Sequence, residues 1–394
     1  MKNKNMLILY ISLAVVMMGY GMALPVLPFY IDSLGGRGVH YGLLLASYGV
    51  MQFLLAPVWG SLSDKYGRKP MLLIGMIGMG SAMALFALST QLWMLYGAQF
   101  LAGGLSSATL PAAQAYAADS TTEEERGGAM GKIGGAIGLG VVVGPGLGGL
   151  LAGRTLATPF FFAAALCLLT FLIILAGLPE SVAKKDRTET TTIKIMQLKG
   201  LWQAMFMPMG FGLVAVFIAI FGQSIFTSVF GLYGMARFDY GPEQVGSILM
   251  AMALMYALAQ GLVVGPLTKK FGEEYIIVLA FLGSALGFVM IMLAQTYLAI
   301  MLAMSGFFLL NSLLKPAALA CISKNVTGNQ GQAMGIGESY MSLGRIMGPL
   351  WGGMIFDVNI NYPFISGALV FFIAFLVNLK KLKLKAKPEL KQEQ

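Results

Sequence analysis

Residues 131–149 read GKIGGAIGLGVVVGPGLGG, and residues 335–353 read GIGESYMSLGRIMGPLWGG. Six glycine and proline positions of the first stretch recur in the second at one fixed offset, close to half the length of the chain. Such a repeat predicts a protein made of two copies of one structural unit. The matched positions are Gly131, Gly140, Gly144, Pro145, Gly148 and Gly149 in the first copy and Gly335, Gly344, Gly348, Pro349, Gly352 and Gly353 in the second.

The same repeat extends beyond the glycines. GSLSDKYG at residues 60–67 matches GPLTKKFG at residues 265–272, and the Pro-Ala-Ala triplet at 111–113 matches the one at 316–318. The offset agrees within one residue throughout. We therefore expect the two halves to share one topology from end to end.

The composition is that of a membrane protein. Hydrophobic residues make up 57% of the 394 residues and charged residues only 11%, whereas a soluble protein has roughly 25% charged residues. The apolar residues fall in runs of about 20, enough to cross a hydrocarbon layer as a helix, which satisfies its own backbone hydrogen bonds there. We predict an all-α integral membrane protein with twelve transmembrane helices. The expected segments are 6–31, 41–62, 71–90, 93–118, 129–152, 158–178, 205–234, 245–264, 275–295, 297–322, 333–356 and 362–379.

The segments divide into two sets of six. We predict an N-terminal six-helix bundle at 1–178, a cytoplasmic linker at 179–204, a C-terminal six-helix bundle at 205–379 and a basic cytoplasmic tail at 380–394. Two six-helix halves related by a parallel repeat are a known plan of secondary transporters. In that plan the substrate is held between the halves near the middle of the membrane.

The net charge of +9 does not indicate nucleic-acid binding. Of the 26 Lys and Arg, Arg37, Arg154 and Arg237 are predicted on the outer side and Lys315 and Arg345 inside apolar segments. All the others fall in loops and ends on one side of the membrane. This asymmetry places that side, with both termini, in the cytoplasm. We expect the basic tail to contact anionic lipid headgroups.

Nothing in the sequence indicates an enzyme. His40 is the only histidine, in a predicted outer loop, and no nucleophile–base cluster or phosphate loop accompanies it. Cys167 and Cys321 lie in separate apolar segments without the spacing of metal ligands. We therefore expect no metal and no organic cofactor.

The turn after the second segment reads GSLSDKYGRKPML from Gly60. Glycines at both ends, Gly60 and Gly67, are expected to let the chain reverse. The stretch resembles the signature GxLxDxxGRxxxL of the major facilitator superfamily, with Asp64 and Arg68 at its charged positions. In that family the loop acts as a cytoplasmic gate, and the resemblance implies the same role here.

Partners for this gate are expected in the charged turn after segment 4, where Asp119 and Arg126 lie. The second copy of the turn has Lys269 and Glu273 where the first has an acid and an arginine. Because these charges are exchanged, we expect the second copy to be degenerate as a latch.

Gly140, Gly144 and Gly148 lie four residues apart and form one bare stripe on a helix. Small residues at this spacing let two helices pack backbone to backbone. Pro145 and Gly149 complete the pattern G-x8-G-x3-GP-xx-GG. This pattern resembles the signature of twelve-helix proton-coupled exporters within the superfamily.

Over nearly its whole length the chain resembles the drug:proton antiporter family of NorA-type and Bmr-type multidrug efflux pumps. The resemblance implies a transporter of the bacterial plasma membrane that exports amphipathic drugs in exchange for protons and needs only the proton gradient; we expect a monomer. Gln52 and Gln260 match cavity-facing glutamines of those pumps. Three positions depart from the family: Thr227 and Ser312 replace acids that serve proton coupling, and Gln99 replaces an arginine.

Of the 17 acidic residues, only Glu338 falls well inside an apolar segment. Arg345 lies two turns along the same helix face, roughly 10 Å away, and Lys315 is the third intramembrane charge. A charge in the centre of a membrane costs at least about 2.5 kcal/mol and usually marks a transport pathway. We predict that Glu338 binds the coupling proton, while Arg345 and Lys315 tune it or anchor the substrate. The alternative is a structural ion pair between segments 10 and 11.

The substrate cavity is predicted to be apolar and adaptable, because the chain has 28 Met and 25 Phe and methionine suits promiscuous surfaces. Two other functions stay open at this point. One is a dedicated exporter of an endogenous anionic or zwitterionic metabolite or lipid, and the other is a membrane sensor that uses the fold without transport. Candidate substrate-binding residues are Gln52, Phe226, Phe230, Tyr233, Gln260, Tyr340 and Met341.

Overall fold

A computed structural model of the chain describes residues 2–181, 198–326 and 330–385. Within these ranges all regular secondary structure is helical, as the composition predicts. The first half contains α1 (Lys2–Ser33), α2 (Gly38–Tyr66), α3 (Arg68–Ala87), α4 (Leu92–Ser106), α5 (Thr109–Asp119), α6 (Glu123–Ala152) and α7 (Thr158–Gly177). The second half contains α8 (Leu198–Ala204), α9 (Gly210–Phe238), α10 (Pro242–Leu258), a π-helical turn (Ala259–Val263), α11 (Val264–Phe271), α12 (Glu273–Leu293), α13 (Tyr297–Asn311), α14 (Leu314–Lys324), α15 (Gln330–Phe356) and α16 (Tyr362–Lys385).

Each of the twelve predicted segments is helical. Ten helical stretches of the described residues are long and apolar enough to cross a membrane. The segments that fall short are α4–α5, which is divided into two short helices, and α15, which contains Glu338 and Arg345. The prediction of an all-helical, multi-pass membrane protein is confirmed.

The predicted linker and tail are described only in part. Residues 182–197 and 386–394 lie outside the described residues. The described end of the linker forms α8, and α16 continues to Lys385, beyond the predicted end of the last segment at residue 379.

The described chain forms two compact units. The first comprises the residues up to 181 together with 230–250, and the second comprises 198–229 and the residues from 251 onwards. Residues 230–250 belong with the first unit because α10 packs closely on α6: a Cβ on Gly246 would lie 2.5 Å from the Pro145 carbonyl oxygen. The predicted domain boundaries follow the sequence repeat and do not coincide with the boundaries of these two units. They stay a prediction.

Two transmembrane segments are interrupted at equivalent places in the two halves. The gap between α4 and α5 contains Ser107, and the gap between α13 and α14 contains Ser312. Each serine lies four residues before a proline, Pro111 or Pro316, and proline has no N–H to donate to the carbonyl at that point. Each serine hydroxyl also donates to the carbonyl three residues earlier, at 2.8 and 2.7 Å. The single helices predicted at 93–118 and 297–322 are therefore each two helices.

The glycine stripes pack on the first long helix of their own half. In the first unit, a Cβ on Gly144 of α6 would lie 2.8 Å from the Met18 carbonyl oxygen of α1. In the second unit, a Cβ on Gly348 of α15 would lie 2.6 Å from Ser224 Cβ and 2.7 Å from the Phe221 carbonyl oxygen of α9. Real Cβ atoms do not approach this closely, so only glycine fits at these crossings.

Candidate functional site

A charged turn joins α2 to α3 in the first unit. Gly67 has a φ of 104°, in the left-handed region that favours glycine, and the chain reverses there. Next to it, the Arg68 guanidinium pairs with two carboxylates, with Nη1 2.5 Å from Asp64 and Nε 3.0 Å from Asp119. Asp64, Arg68 and Asp119 form what we call the N-terminal latch, which joins this turn to the end of α5.

Two expectations about this turn are wrong. Gly60 does not help the chain to reverse, because it lies inside α2 and a Cβ there would have no neighbour within 4 Å. Arg126 is exposed in the first turn of α6 and makes no ion pair in the part of the chain that the structure describes. Asp119 pairs instead with Arg68, which is 51 residues earlier in the sequence but adjacent in space.

Glu180 completes this corner, and sequence reasoning missed it. Its carboxylate accepts hydrogen bonds from the backbone N–H groups of Arg68 at 2.8 Å and Lys69 at 3.3 Å. The N–H groups of Arg68 and Lys69 lie at the start of α3 and have no acceptor within the helix. Gly67, which precedes them, has no side chain that could cap this helix end. Glu180 therefore ties the end of α7 to the start of α3. The available signal was an acid directly after the last apolar segment of the first half, which the prediction assigned to the linker.

The equivalent corner of the second unit has the same ion pair with its charges exchanged. Lys324 Nζ lies 2.7 Å from Glu273 Oε1, at the positions that correspond to Asp119 and Arg68. Gly272, with a φ of 80°, makes the turn as in the first unit. The expectation of a degenerate second latch is wrong, because both partners changed sign together. We call Glu273 and Lys324 the C-terminal latch.

Glu273→Lys or Lys324→Glu alone should lower the apparent melting temperature of the purified protein, because each places two like charges side by side. The double variant Glu273→Lys/Lys324→Glu restores the attraction and should recover most of that loss. Exposed ion pairs contribute about 1 kcal/mol or less, so we expect small but opposite effects. Thermal unfolding of the three variants measures them, with Lys132→Glu, at an exposed lysine of α6 far from the pair in sequence, as the control. A double variant as unstable as the sum of the singles would contradict a latch role.

Three charges lie inside the apolar helices of the second unit: Lys315 on α14, and Glu338 and Arg345 on α15. Lys315 interacts electrostatically with both of the others. Among the described residues, none of the three forms a direct ion pair with another residue. The alternative, a structural ion pair between segments 10 and 11, is therefore not observed among the described residues. We call these three residues the charged cluster.

Different faces of α15 carry the packing contacts and the charged side chains. Met341 and Gly344 are buried, whereas Glu338 is exposed and Lys315 and Arg345 are half-buried. Gly344 and Arg345 are successive residues, which point about 100° apart on a helix. The helix therefore packs through its glycine stripe and turns the carboxylate of Glu338 away from that contact, as the spacing predicts.

A π-helical turn (Ala259–Val263) separates α10 from α11 and was not predicted. Such turns insert an extra residue into a helix and recur at functional sites. This one contains Gln260, whose exposed side chain forms a hydrogen bond with the hydroxyl of Tyr256. Tyr256 in turn interacts electrostatically with Arg345. The predicted cavity glutamine Gln260 is thus linked to the charged cluster through one residue.

The aromatic substrate candidates lie in the core instead. Phe226 packs against Phe307 and Phe308 with ring centroids 5.9 and 5.4 Å apart, and the Tyr340 hydroxyl donates to the Leu201 carbonyl at 3.0 Å. The prediction that these side chains line an accessible cavity is wrong, because neighbours in sequence do not share a helix face. The candidates that are at most 8% exposed are Phe226, Phe230, Tyr233, Tyr340 and Met341.

The positions where related pumps have charges are neutral here. The hydroxyls of Thr227 and Ser312 donate to carbonyls three residues earlier in their own helices, at 3.3 and 2.7 Å. Gln99 is buried, and its amide nitrogen has no hydrogen-bond partner among the described residues. Gln52, on α2, is half-buried and keeps an accessible side chain. Among the described residues, the predicted proton-coupling charges are therefore those of the charged cluster.

Helices of membrane length recur in both halves, each half contains a charged latch, and the second half also contains the charged cluster. This arrangement defines a secondary transporter built from a parallel repeat. More specifically, the chain belongs to the Major Facilitator Superfamily, whose sequence profile matches residues 9–241 and 212–394.

Characterised relatives cover almost the whole chain. Multidrug resistance protein 2 of Bacillus subtilis is 32% identical over 370 residues, 93% of this chain and 92% of the relative. Tetracycline resistance protein, class C, of Escherichia coli is 35% identical over 365 residues, 89% of each chain. Quinolone resistance protein NorA of Staphylococcus aureus is 28% identical over 367 residues, 92% of each chain.

Solved structures support the same fold. The nucleoside transporter NupG matches with a TM-score of 0.82 at 14% identity, over 95% of this chain and 99% of that one. The human organic anion transporter MFSD10 matches with a TM-score of 0.69 at 20% identity, over 96% of this chain and 99% of that one. At these identities the likeness extends to the fold alone.

Proposed function

We propose that this protein is a proton-coupled antiporter that exports amphipathic drugs across the bacterial plasma membrane. Three relatives that span nearly the whole chain are multidrug, tetracycline and quinolone resistance proteins. The excess of Lys and Arg in one set of loops favours an orientation with both termini in the cytoplasm. The protein works as a monomer surrounded by lipid and uses the proton gradient as its energy source.

The observation that carries the mechanism is the charged cluster. Glu338 is the acid that lies well inside an apolar segment, and it has no ion-pair partner within the described ranges. It takes up a proton when the protein opens outward and gives it up when the protein opens to the cytoplasm. A drug then binds in place of the proton. Coupling exists because the two ligands bind the two conformations with different affinities.

The protonation state of Glu338 changes the electrostatic environment of Lys315 and Arg345. Because Lys315 interacts electrostatically with Glu338, protonation of that carboxylate removes a negative charge beside the two cations. Any charged drug bound near the cluster therefore senses whether the proton is present. Of the predicted substrate-binding residues, Gln260 and Gln52 keep accessible polar side chains for drug contacts.

Both latches serve as gates in this proposal. Arg68 with Asp64 and Asp119, and Glu273 with Lys324, each fix a helix turn to the end of a neighbouring helix. In each latch one partner keeps part of its side chain in contact with solvent, and ion pairs of this kind are weak enough to break and re-form during a transport cycle. The glycine motif from Gly140 to Gly149 supplies the rigid helix crossing against which the gates move.

Purified protein in lipid vesicles tests the function. We expect an imposed pH gradient to drive ethidium and other amphipathic cations uphill, and each transported compound to speed the collapse of the gradient. Competition among many chemically unrelated compounds would match multidrug export, whereas one tight ligand would indicate a dedicated metabolite or lipid exporter. Absence of proton-linked flux for a panel of cationic, zwitterionic and anionic amphiphiles would overturn the proposal and favour a sensor.

A further inference from the structure

A groove opens on the surface of the second unit between α9 and α16. It is formed by residues 211–218 of α9, residues 370–378 of α16 and Phe281 of α12, and its volume is about 300 Å³. All of its lining residues except Asn378 are apolar. Ile373 and Val377, on its α16 wall, are exposed, so the groove is open to its surroundings. In the membrane these surroundings are lipid. We call this feature the α9–α16 groove.

The groove exists because large side chains at one end are followed by alanines. At that end α9 and α16 touch, since Gly222 leaves no room for a Cβ beside the ring of Phe371. The Phe371 ring in turn lies 6.2 Å from the ring of Phe281. One to two helical turns away, towards the end of α16, both walls carry a buried alanine, Ala215 and Ala374. Their methyl groups are too short to fill the space between the helices.

The groove has the depth of one leaflet of the membrane. Its α16 wall runs from Val370 to Asn378, roughly 12 Å along the helix axis, and half of the hydrocarbon core is about 15 Å thick. Trp202 and Phe206 lie just before α9, are exposed and have ring centroids 5.6 Å apart. Exposed aromatic residues of this kind mark the level of the lipid headgroups. The end of the groove at Asn378 therefore lies near the headgroups, and the end at Val370 lies among the acyl chains.

Positive charge is concentrated at the headgroup end. The last turns of α16 read NLKKLKLK from Asn378, with four lysines in eight residues, and Lys380 is exposed. Lipid chains are as apolar as the groove itself, so the chain alone gives little preference for one lipid over another. The headgroup therefore decides which lipid stays. Each basic residue near the surface strengthens the binding of an anionic headgroup about fivefold.

We propose that the α9–α16 groove binds an acyl chain of an anionic phospholipid, whose phosphate lies at Lys380 in the basic end of α16. The lipid comes from the leaflet on the side of the membrane where α16 ends. Because it binds the folded protein, it stabilises the second unit by mass action. This inference goes beyond the function proposed above and does not depend on it.

Two phospholipids with the same photoreactive acyl chain test the site. Phosphatidylglycerol is anionic and phosphatidylcholine is zwitterionic, and each carries a diazirine in its chain. Either lipid is added at trace level to the purified full-length protein in nanodiscs of unlabelled phosphatidylcholine, and the labelled peptides are identified by mass spectrometry. We expect phosphatidylglycerol to label residues 211–218 and 370–378 at least about fivefold more than phosphatidylcholine does. Both lipids should label the other membrane helices alike.

Matched variants assign the two ends of the lipid. Ala374→Phe fills the groove and should abolish its labelling by both lipids, whereas Leu369→Phe, at an exposed residue of the same helix outside the groove, should behave as the wild type. Ala215→Leu fills the groove from the opposite wall and gives the same test if Ala374→Phe does not fold. Lys380→Gln should lower labelling by phosphatidylglycerol about fivefold and leave labelling by phosphatidylcholine unchanged. Lys132→Gln, at an exposed lysine of α6, is the control for charge.

Equal labelling of the groove by the two lipids would overturn the proposal, and so would labelling spread evenly over all helices. A preference for phosphatidylglycerol that Lys380→Gln leaves unchanged would place the headgroup elsewhere and contradict it as well. Loss of groove labelling when ethidium is added, without any preference between the lipids, would show that the groove takes drugs instead. Because the nanodiscs have no pH gradient and no transport is measured, the result is separate from that of the vesicle assay.

Discussion

Glu338→Gln should reduce pH-driven uphill export of ethidium to the level of vesicles without protein. Glutamine has nearly the same shape as glutamate but does not take up a proton at this position. The side chain of Glu338 is exposed, and the hydrogen bond recorded at this residue uses its backbone carbonyl, which accepts from Ser342 at 2.9 Å. We therefore expect the variant to fold and insert normally while it loses the coupling step.

The variant should still let ethidium move down its own concentration gradient. Retained downhill movement separates a loss of coupling from a loss of transport. Glu124→Gln is the matched control, because it makes the same chemical change at an exposed acid in the first turn of α6. If Glu338→Gln vesicles accumulate drug against its gradient as the wild type does, another group binds the coupling proton.

Gly148→Val and Gly348→Val should each prevent accumulation of folded protein. A Cβ on Gly148 would lie 2.7 Å from the Cα of Met22, and one on Gly348 would lie 2.6 Å from the Cβ of Ser224. The neighbouring helix would have to move away along the whole crossing to make room. Overpacking of this kind costs about 1–3 kcal/mol or more, and here it falls on the crossing that each repeat uses to join its helices.

The same substitution elsewhere on the same helices should have little effect. A Cβ on Gly138 of α6 or on Gly335 of α15 would have no neighbour within 4 Å. Gly138→Val and Gly335→Val therefore add only a modest change in helix propensity, of a few tenths of a kcal/mol. Yields and melting temperatures after detergent purification compare the four variants. Loss of stability in all four alike would show that glycine matters for reasons other than the helix crossings.

The features that repeat in the sequence could be predicted from it. The offset between the two glycine stretches predicts two copies of one unit, and the spacing of Gly140, Gly144 and Gly148 predicts a helix contact before its partner is known. The interruptions at Ser107 and Ser312 were also within reach, because each lies four residues before a repeated proline. The continuous apolar runs at 93–118 and 297–322 predict single helices instead.

The features that depend on distant pairs could not be predicted in the same way. In the sequence, Arg68 could pair with any of several acids. Only the fold brings Arg68, rather than Arg126, to Asp119. The exchange of charge in the C-terminal latch was misread because Glu273 was judged without its partner Lys324. Burial of Phe226 follows from the direction of its side chain, which composition does not encode.

Proton release on drug binding tests the central claim most directly. Tetraphenylphosphonium, a permanent cation without a proton of its own, is added to the purified protein in weakly buffered detergent solution at a series of starting pH values from acidic to neutral, and the pH change is followed. The account predicts that the wild type releases protons as the cation displaces them from Glu338 and that Glu338→Gln binds the cation without releasing any. Equal proton release by the two proteins would contradict it.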